Sequence, residues 1–238
     1  MPSLSILHTS DLHGRWTSDL VESLSRARAP DCLLLDCGDA LRAGNLNPSR
    51  GHEFEAMAAA GYDTMAIGNR ETHLWWWAMR RKLRDAPFTL LSSNMRNPRP
   101  PVEKWRVWEI GGARVGVFAL TPVMVAAGSL GSRFASVVFD PPIEAARVAA
   151  ASLGPTVDLV VALSHSGREF DRRLAREVAG IDLIIGGHDH TPGLPEGERV
   201  GSTLLTRTSP YGENFGEVEV SFGPDGPVMN ARLITVGV

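Results

Sequence analysis

The chain has 238 residues, of which 43% are hydrophobic and 21% charged, the balance of an ordinary globular protein rather than a disordered or membrane-embedded one. Its formal net charge of −3 gives no basic excess, which argues against a nucleic-acid duplex as a partner. No apolar run approaches the ~20 residues of a membrane span, and no signal-peptide pattern precedes the first predicted strand, so we predict a cytoplasmic protein with no membrane partner.

Short apolar runs alternate with helix-like stretches along the chain, a pattern that predicts an α/β fold. Several runs are apolar throughout, as expected of strands covered on both faces. The runs are residues 4–7, 32–35, 64–67, 89–91, 115–120, 159–163 and 183–185. Cys32 and Cys37 flank the second run, where a strand would hold them too far apart for a disulfide, so we expect reduced thiols.

Capping and stop signals place helices between these strands. The signals are Thr17-Ser18 before the first helix, Gly61 after the second, Pro141 and Gly154 around the third, and the capping box Ser166-x-x-Glu169 at the start of the fourth.

The last part of the chain has a different sequence pattern. Residues 202–206, 217–222 and 231–236 are β-like pieces, joined by turns such as Gly223-Pro224-Asp225-Gly226. We predict an antiparallel meander that extends a sheet, and therefore a single domain over residues 1–238.

Polar residues follow five of the apolar runs directly. Because ligands bind at the carboxyl ends of parallel strands, we expect these side chains to meet at one edge of the fold. They are Asp11, His13, Asp39, Asn69, His165, His188 and His190.

This set of side chains is chemically coherent. Carboxylate, carboxamide and imidazole suit Mn, Fe, Zn or Co, and the set includes no thiolate. It is too large for one tetrahedral ion, so we predict two divalent transition-metal ions that share a carboxylate.

The motifs that carry these residues resemble the calcineurin-like metallophosphoesterase superfamily, whose pattern is D-x-H, G-D, G-N-H-[DE], H and G-H-x-H. Within it, the 5′-nucleotidase branch is the most similar, through residues 6–14, Ala60-Gly61-Tyr62-Asp63 and Gly186 to Thr191 with a later Tyr211-Gly212. The resemblance covers essentially the whole chain as the catalytic domain of that branch and implies a four-layer αββα sandwich. It also implies one metal on Asp11, His13, Asp39 and His190, and another on Asp39, Asn69, His165 and His188.

The chain departs from this pattern in two respects. Arg70 stands where the family has a His that often acts as leaving-group acid, and His73 stands where the branch has the Asp that orients that His. The branch usually continues into a domain that grips the nucleobase, whereas this sequence ends at Val238, so we do not carry over nucleotide specificity.

The expected function is hydrolysis of phosphate monoesters or diesters, with nucleotides among the candidate substrates, by in-line attack of a metal-bridging hydroxide. Arg70 would bind a phosphate oxygen, His73 would protonate the leaving group, and Tyr211 would line the cleft beside a small phosphorylated substrate. Two alternatives stay open: hydrolysis of a sulfur-linked ester, and a metal-binding interaction protein with little turnover.

Trp75, Trp76 and Trp77 follow the third ligand segment in a predicted helix. Successive helical residues are ~100° apart, so the three rings cannot all face one core. We therefore predict that at least one is exposed, overhangs the cleft or contacts a partner, and we favour a homodimer.

Overall fold

The computed structural model describes residues 2–224 and 226–237, and these form two β-sheets with helices on the outer face of each. The strands are β1 (Ser3–Thr9), β2 (Cys32–Asp36), β3 (Thr64–Ala66), β4 (Thr89–Leu91), β5 (Val102–Glu103), β6 (Trp105–Ile110), β7 (Ala113–Leu120), β8 (Leu159–Ser164), β9 (Leu183–Gly186), β10 (Glu198–Val200), β11 (Thr203–Arg207), β12 (Asn214–Gly223) and β13 (Gly226–Thr235). The α-helices are α1 (Ser18–Ala27), α2 (Glu53–Ala60), α3 (Trp76–Leu83), α4 (Pro142–Leu153) and α5 (Arg168–Glu177).

The first sheet has the order β13-β12-β1-β2-β3-β4-β5, and the second has the order β10-β11-β9-β8-β7-β6. Strands β1 to β5 are parallel, and β12 and β13 extend them as an antiparallel pair. In the second sheet β7, β8, β9 and β11 are parallel, with β6 and β10 antiparallel at the two edges. Both sheets therefore present the carboxyl ends of several parallel strands.

Three apolar layers hold the sheets and helices together. One lies between the sheets, where Ile6 and Leu33 pack in the same cluster as Val117 and Val161. The second joins the first sheet to α1, α2 and α3, and the third joins the second sheet to α4 and α5. These layers confirm the predicted αββα sandwich.

The seven predicted strands are all present, but the prediction for the last part of the chain was partly wrong. Strands β12 and β13 extend the first sheet as expected, whereas β11 lies in the second sheet, parallel to β9. All five residues of β11 are buried, and Leu204 and Leu205 pack in the apolar layers on the two faces of the second sheet. The predicted turn joins β12 to β13, and its Asp225 lies outside the described residues.

Local signals located most helix ends. Thr17 caps α1, its hydroxyl accepting from the Leu20 amide at 3.2 Å, and Gly61 ends α2 in the left-handed region at φ 83°. The prediction of a capping box at Ser166 was wrong. Helix α5 begins after Gly167, and the amide of its first residue, Arg168, donates to the Asp189 carboxylate at 2.7 Å. A carboxylate from a distant loop thus replaces the local Ser166 cap.

Both cysteines are buried free thiols, as predicted. Among the helices of the described residues, none combines the length and apolar character that a membrane crossing requires.

Candidate metal centre

The seven predicted ligand side chains come from the loops that follow β1, β2, β3, β8 and β9. Three of these strands belong to the first sheet and two to the second, so the site lies where the carboxyl ends of both sheets meet. The loops are joined directly: the Asp11 amide donates to the Gly38 carbonyl at 3.0 Å, and the His188 amide donates to the Asp11 carboxylate at 3.0 Å.

One group of potential ligands consists of Asp11, His13 and His190. The Nε2 atoms of His13 and His190 lie 2.7 Å apart, and His190 Nε2 lies 3.5 Å from Asp11 Oδ1. Asp39 borders this group, with Oδ2 4.0 Å from His13 Nδ1. Two imidazoles and a carboxylate facing one point are a typical donor set for a transition metal.

A second group consists of Asp11, Asp39 and His165. His165 Nε2 lies 3.5 Å from Asp39 Oδ1 and 3.9 Å from Asp11 Oδ1. Asn69 and His188 adjoin this group, since His188 Nδ1 lies 3.1 Å from Asn69 Oδ1 and its ring centroid lies 5.1 Å from that of His165. The structure therefore brings all seven residues together, with the two aspartates at the centre.

The backbone of the site is strained. Left-handed φ values are unfavourable for residues that carry a Cβ, by about 1–3 kcal/mol each where the surroundings enforce them. Of the seven such non-glycine residues in the described part of the chain, six belong to the site: Asp11, His13, Asp39, His188, His190 and Tyr211, at φ 51–89°. The left-handed backbone allows the loops after β1, β2 and β9 to turn their side chains back towards the same point.

His165 has the features of a metal ligand. Its buried Nδ1 lies 2.8 Å from the Cys37 carbonyl, which orients the ring by accepting a hydrogen bond, as partners of ligand histidines do. Its Nε2 is also buried and has no hydrogen-bond partner among the described residues. A buried nitrogen left open towards two carboxylates fits a cation between them.

The electrostatics of the ligand set favour the same conclusion. Burial lowers the pKa of His165, but Asp39, Cys37 and Asp11 outweigh it, so the net pKa is well above the usual value. Burial raises the pKa of Asp39, but His165 and the Arg70 amide reverse this, so the net pKa is lowered. The two aspartates thus stabilise positive charge between them. The Cys37 thiol is not one of the expected ligands: it donates to the Ile185 carbonyl, and burial raises its pKa to about 12.

Glu71 is a supporting residue to which the sequence analysis gave no role. Its fully buried carboxylate accepts from the amides of Asp39 at 3.0 Å, Gly68 at 2.9 Å and Leu41 at 3.1 Å. It therefore ties the Asp39 loop to the Asn69 loop. Burial and the nearby Asp39 raise the pKa of Glu71 to about 7. The acidic position of the G-N-H-[DE] pattern was its signal.

Arg207 supports the loop of the second sheet in a similar way, and sequence reasoning missed it. This buried guanidinium on β11 donates to the Gly187 carbonyl and to Asp171, each at 3.2 Å, and forms a short contact with Asp189. A single arginine at the end of an otherwise uncharged strand was its signal. The ion pairs hold the loop that carries His188 and His190.

Arg70 lies at the metal centre. Its amide donates to Asp39 Oδ1 at 2.8 Å, its Nε lies 3.9 Å from Asp39 Oδ2, and its Nη1 donates to the Arg42 carbonyl at 2.5 Å. Tyr211 lies beside the first ligand group: its hydroxyl is 3.4 Å from His190 Nδ1, and its ring centroid is 5.4 Å from that of His13.

His73 precedes α3, which begins only at Trp76. The buried His73 accepts a hydrogen bond from the Trp75 amide through Nδ1 at 3.1 Å, and its ring lies 5.5 Å from that of Trp75 and 6.2 Å from that of Trp77. These contacts favour a packing role over contact with substrate. Its role as an acid stays a prediction.

The tryptophan segment is exposed in part, as predicted. Trp75 is 44% exposed and Trp77 is 64% exposed, while Trp76 packs against the core beside the first sheet.

Residues 4–192 match the model of the calcineurin-like phosphoesterase family, and the chain belongs to that family. It is 28% identical to the trifunctional nucleotide phosphoesterase protein YfkN of Bacillus subtilis, across 96% of this chain and 19% of that protein. It is 31% identical to the 5′-nucleotidase of Rattus norvegicus, across 79% of this chain and 38% of that protein. The chain thus spans well under half the length of both relatives.

Solved structures show the same fold. The 5′-nucleotidase precursor from Thermus thermophilus superposes with a TM-score of 0.80 and 25% identity, across 98% of this chain and 54% of that one. The sulfate thiohydrolase SoxB of the same organism superposes with a TM-score of 0.82 at 20% identity, across 98% of this chain and 56% of that one. The second similarity is one of fold alone.

Proposed function

We propose that this chain hydrolyses phosphate esters at a centre that binds two divalent transition-metal ions. The observation that carries the proposal is the convergence of two carboxylates and four imidazoles from both sheets, most of them on left-handed backbone, with no hydrogen-bond partner for His165 Nε2 among the described residues. Bound metals would polarise the phosphoryl oxygens and lower the pKa of the attacking water.

The side chains of the proposed site have different roles in binding and positioning the metals. Asp11 belongs to both ligand groups, and Asp39 belongs to the second group and borders the first. We assign the bridging position to Asp39, as the family pattern implies. The other five ligands complete the two coordination shells. Glu71 and Arg207 hold the ligand loops, so the donor atoms are positioned before metal or substrate arrives.

Arg70 supplies a permanent positive charge beside Asp39 and would bind a phosphoryl oxygen. Guanidinium suits this role because several N–H donors lie in one plane, and the Arg42 carbonyl occupies only part of them. Tyr211 would contact the substrate from the His190 side. Arginine cannot deliver a proton near neutral pH, so an acid other than Arg70 must protonate a poor leaving group.

Nucleoside phosphates are the first substrates to test, because both of the named relatives are described as acting on nucleotides. A single catalytic domain, a cytoplasmic location and a homodimer remain predictions. Exposed Trp75 and Trp77 are the surface that motivates the homodimer.

Metal analysis and a substrate screen test the proposal together. Purified protein should bind two ions per chain and turn over phosphomonoesters, phosphodiesters or both. Asp39→Asn should lower metal occupancy at both sites and lower the hydrolytic activity. Asp19→Asn, at an exposed position on α1, should change neither.

Other results of the metal analysis and the substrate screen would contradict the proposal. At most one ion at saturating metal would refute the dinuclear site. Two ions with cleavage only of sulfur-linked esters, or with no turnover at all, would refute phosphate ester hydrolysis in favour of one of the alternatives.

A further inference from the structure

Lys82 is a buried lysine next to the site in a chain with few lysines. Lys82 and Lys104 are the only lysines in the sequence. Lys82 lies on α3 after the exposed residues Arg80 and Arg81, yet its relative exposure is 0%. A charged side chain enters a protein interior only when its donors are satisfied there.

Each N–H donor of the Lys82 ammonium group has a carbonyl partner. It donates to the carbonyls of Arg70 at 2.5 Å, Gly44 at 2.9 Å and Thr72 at 3.2 Å. Three carbonyls match its three N–H donors, and apolar side chains could not replace them. Burial lowers the pKa of Lys82 to about 8 against the opposing effect of Glu71 and Asp39, so it remains mainly protonated at neutral pH.

These contacts fix Arg70 relative to its own anchor. The Arg70 guanidinium donates to the Arg42 carbonyl, two residues before Gly44 in the same loop. Lys82 Nζ joins that loop to the Arg70 carbonyl, and the Lys82 carbonyl accepts from the Gly51 amide at 3.1 Å. Both ends of the segment from Gly44 to Gly51 are therefore attached to Lys82.

We propose that Lys82 is a positioning residue that holds the Arg70 guanidinium in place for the phosphoryl group. The inference rests on the proposed function, in which Arg70 binds phosphate. Without the Nζ contacts, the Arg70 and Gly44 segments can separate, and the guanidinium loses its fixed place beside Asp39. The loss then acts on phosphate binding through Arg70, rather than on the metal ligands themselves.

A double-mutant cycle separates positioning from general stability. We measure binding of inorganic phosphate to the metal-loaded protein by calorimetry, together with kcat/KM, for the wild type, Lys82→Met, Arg70→Met and the double variant. Lys82→Met should weaken phosphate binding about tenfold and lower kcat/KM by about tenfold to a hundredfold. In the Arg70→Met background the same change should have less than about a twofold effect. Lys104→Met, at an exposed lysine, is the matched control and should match the wild type.

The cycle refutes the proposal if the two effects on phosphate binding are additive, or if Lys82→Met changes metal content and leaves phosphate affinity intact. If Lys82→Met does not fold, Lys82→Gln, which keeps two N–H donors, carries the same cycle. Failure of both variants to fold would assign Lys82 to stability and overturn the proposal.

Phosphate binding needs no turnover, so the two proposals fail separately. A wild type that binds phosphate but cleaves no phosphate ester refutes the proposed function and still tests Lys82. An active wild type with an additive cycle refutes only the role of Lys82.

Discussion

Acid should destabilise this protein through His8, a fully buried histidine on β1. Its Nε2 lies 3.2 Å from the Thr206 hydroxyl, and the ring lies so close to Gly216 that a Cβ there would be 2.0 Å from Nε2. Burial lowers the pKa of His8 from 6.5 to about 3. The fold therefore accommodates the neutral ring and disfavours the protonated one.

The sign and size of the effect follow from this pKa. A histidine whose pKa is lower in the folded state contributes stability that is present above pH 6.5 and is lost as the pH falls towards 3. Between about pH 7 and pH 5 the unfolded chain takes up a proton that the folded chain does not. At ~1.4 kcal/mol per pKa unit, this lowers the free energy of unfolding by about 2 kcal/mol.

The assay compares wild type with His8→Gln by urea unfolding at about pH 7 and pH 5, with a chelator present so that metal release does not contribute. Glutamine stays neutral at both values, so the wild type should lose about 2 kcal/mol more than the variant on acidification. The other titrating groups are common to both proteins and cancel in the comparison. Equal losses in the two proteins would refute the assignment.

Four further outcomes are expected. Glu71→Gln, which puts an amide NH₂ against backbone N–H groups, should weaken metal binding about tenfold, and unchanged metal affinity by titration would contradict the link between the two loops. His73→Ala should slow alkyl and nitrophenyl phosphates equally if the packing of His73 on tryptophans is its whole role, whereas a selective loss on the alkyl ester would confirm the acid role predicted from the sequence. Acylation of the folded protein should modify Lys104 and spare Lys82, as mass spectrometry can show. Sedimentation should show a dimer that Trp77→Ser weakens, and a wild-type monomer at micromolar concentration would remove that prediction.

The ligand set could be predicted from sequence because each ligand follows an apolar run that ends in a small residue or a turn. Asp39 after Gly38 and Asn69 after Gly68 are examples, and both glycines lie against neighbouring loops with no room for a side chain. Parallel strands then bring the ligands to one edge whatever the details of the sheet order. The same short segments therefore allowed both the fold and the site to be predicted.

Other features depend on contacts between segments far apart in sequence, which local patterns do not contain. Strand β11 resembles the strands of a meander, but its position is fixed by pairing with β9. The start of α5 depends on Asp189, 21 residues from the amide that it caps. The burial of Lys82 depends on three carbonyls in other loops, so its sequence alone resembles an exposed basic turn of a helix.

The centre joins two sheets whose relative position is set by an apolar layer, not by the ligands. Asp11 belongs to the first sheet, yet its carboxylate accepts from the His188 amide of the second, and the Cys37 carbonyl contacts His165 Nδ1 in the same way. These hydrogen bonds join loops of the two sheets without a metal, so they hold the ligands together before metal binds. Asp39, Cys37 and Asp11 raise the pKa of His165 against the effect of its burial, so the two carboxylates favour a positive charge between them. Because a metal ion would supply that charge, metal binding and folding stability should be coupled through His165.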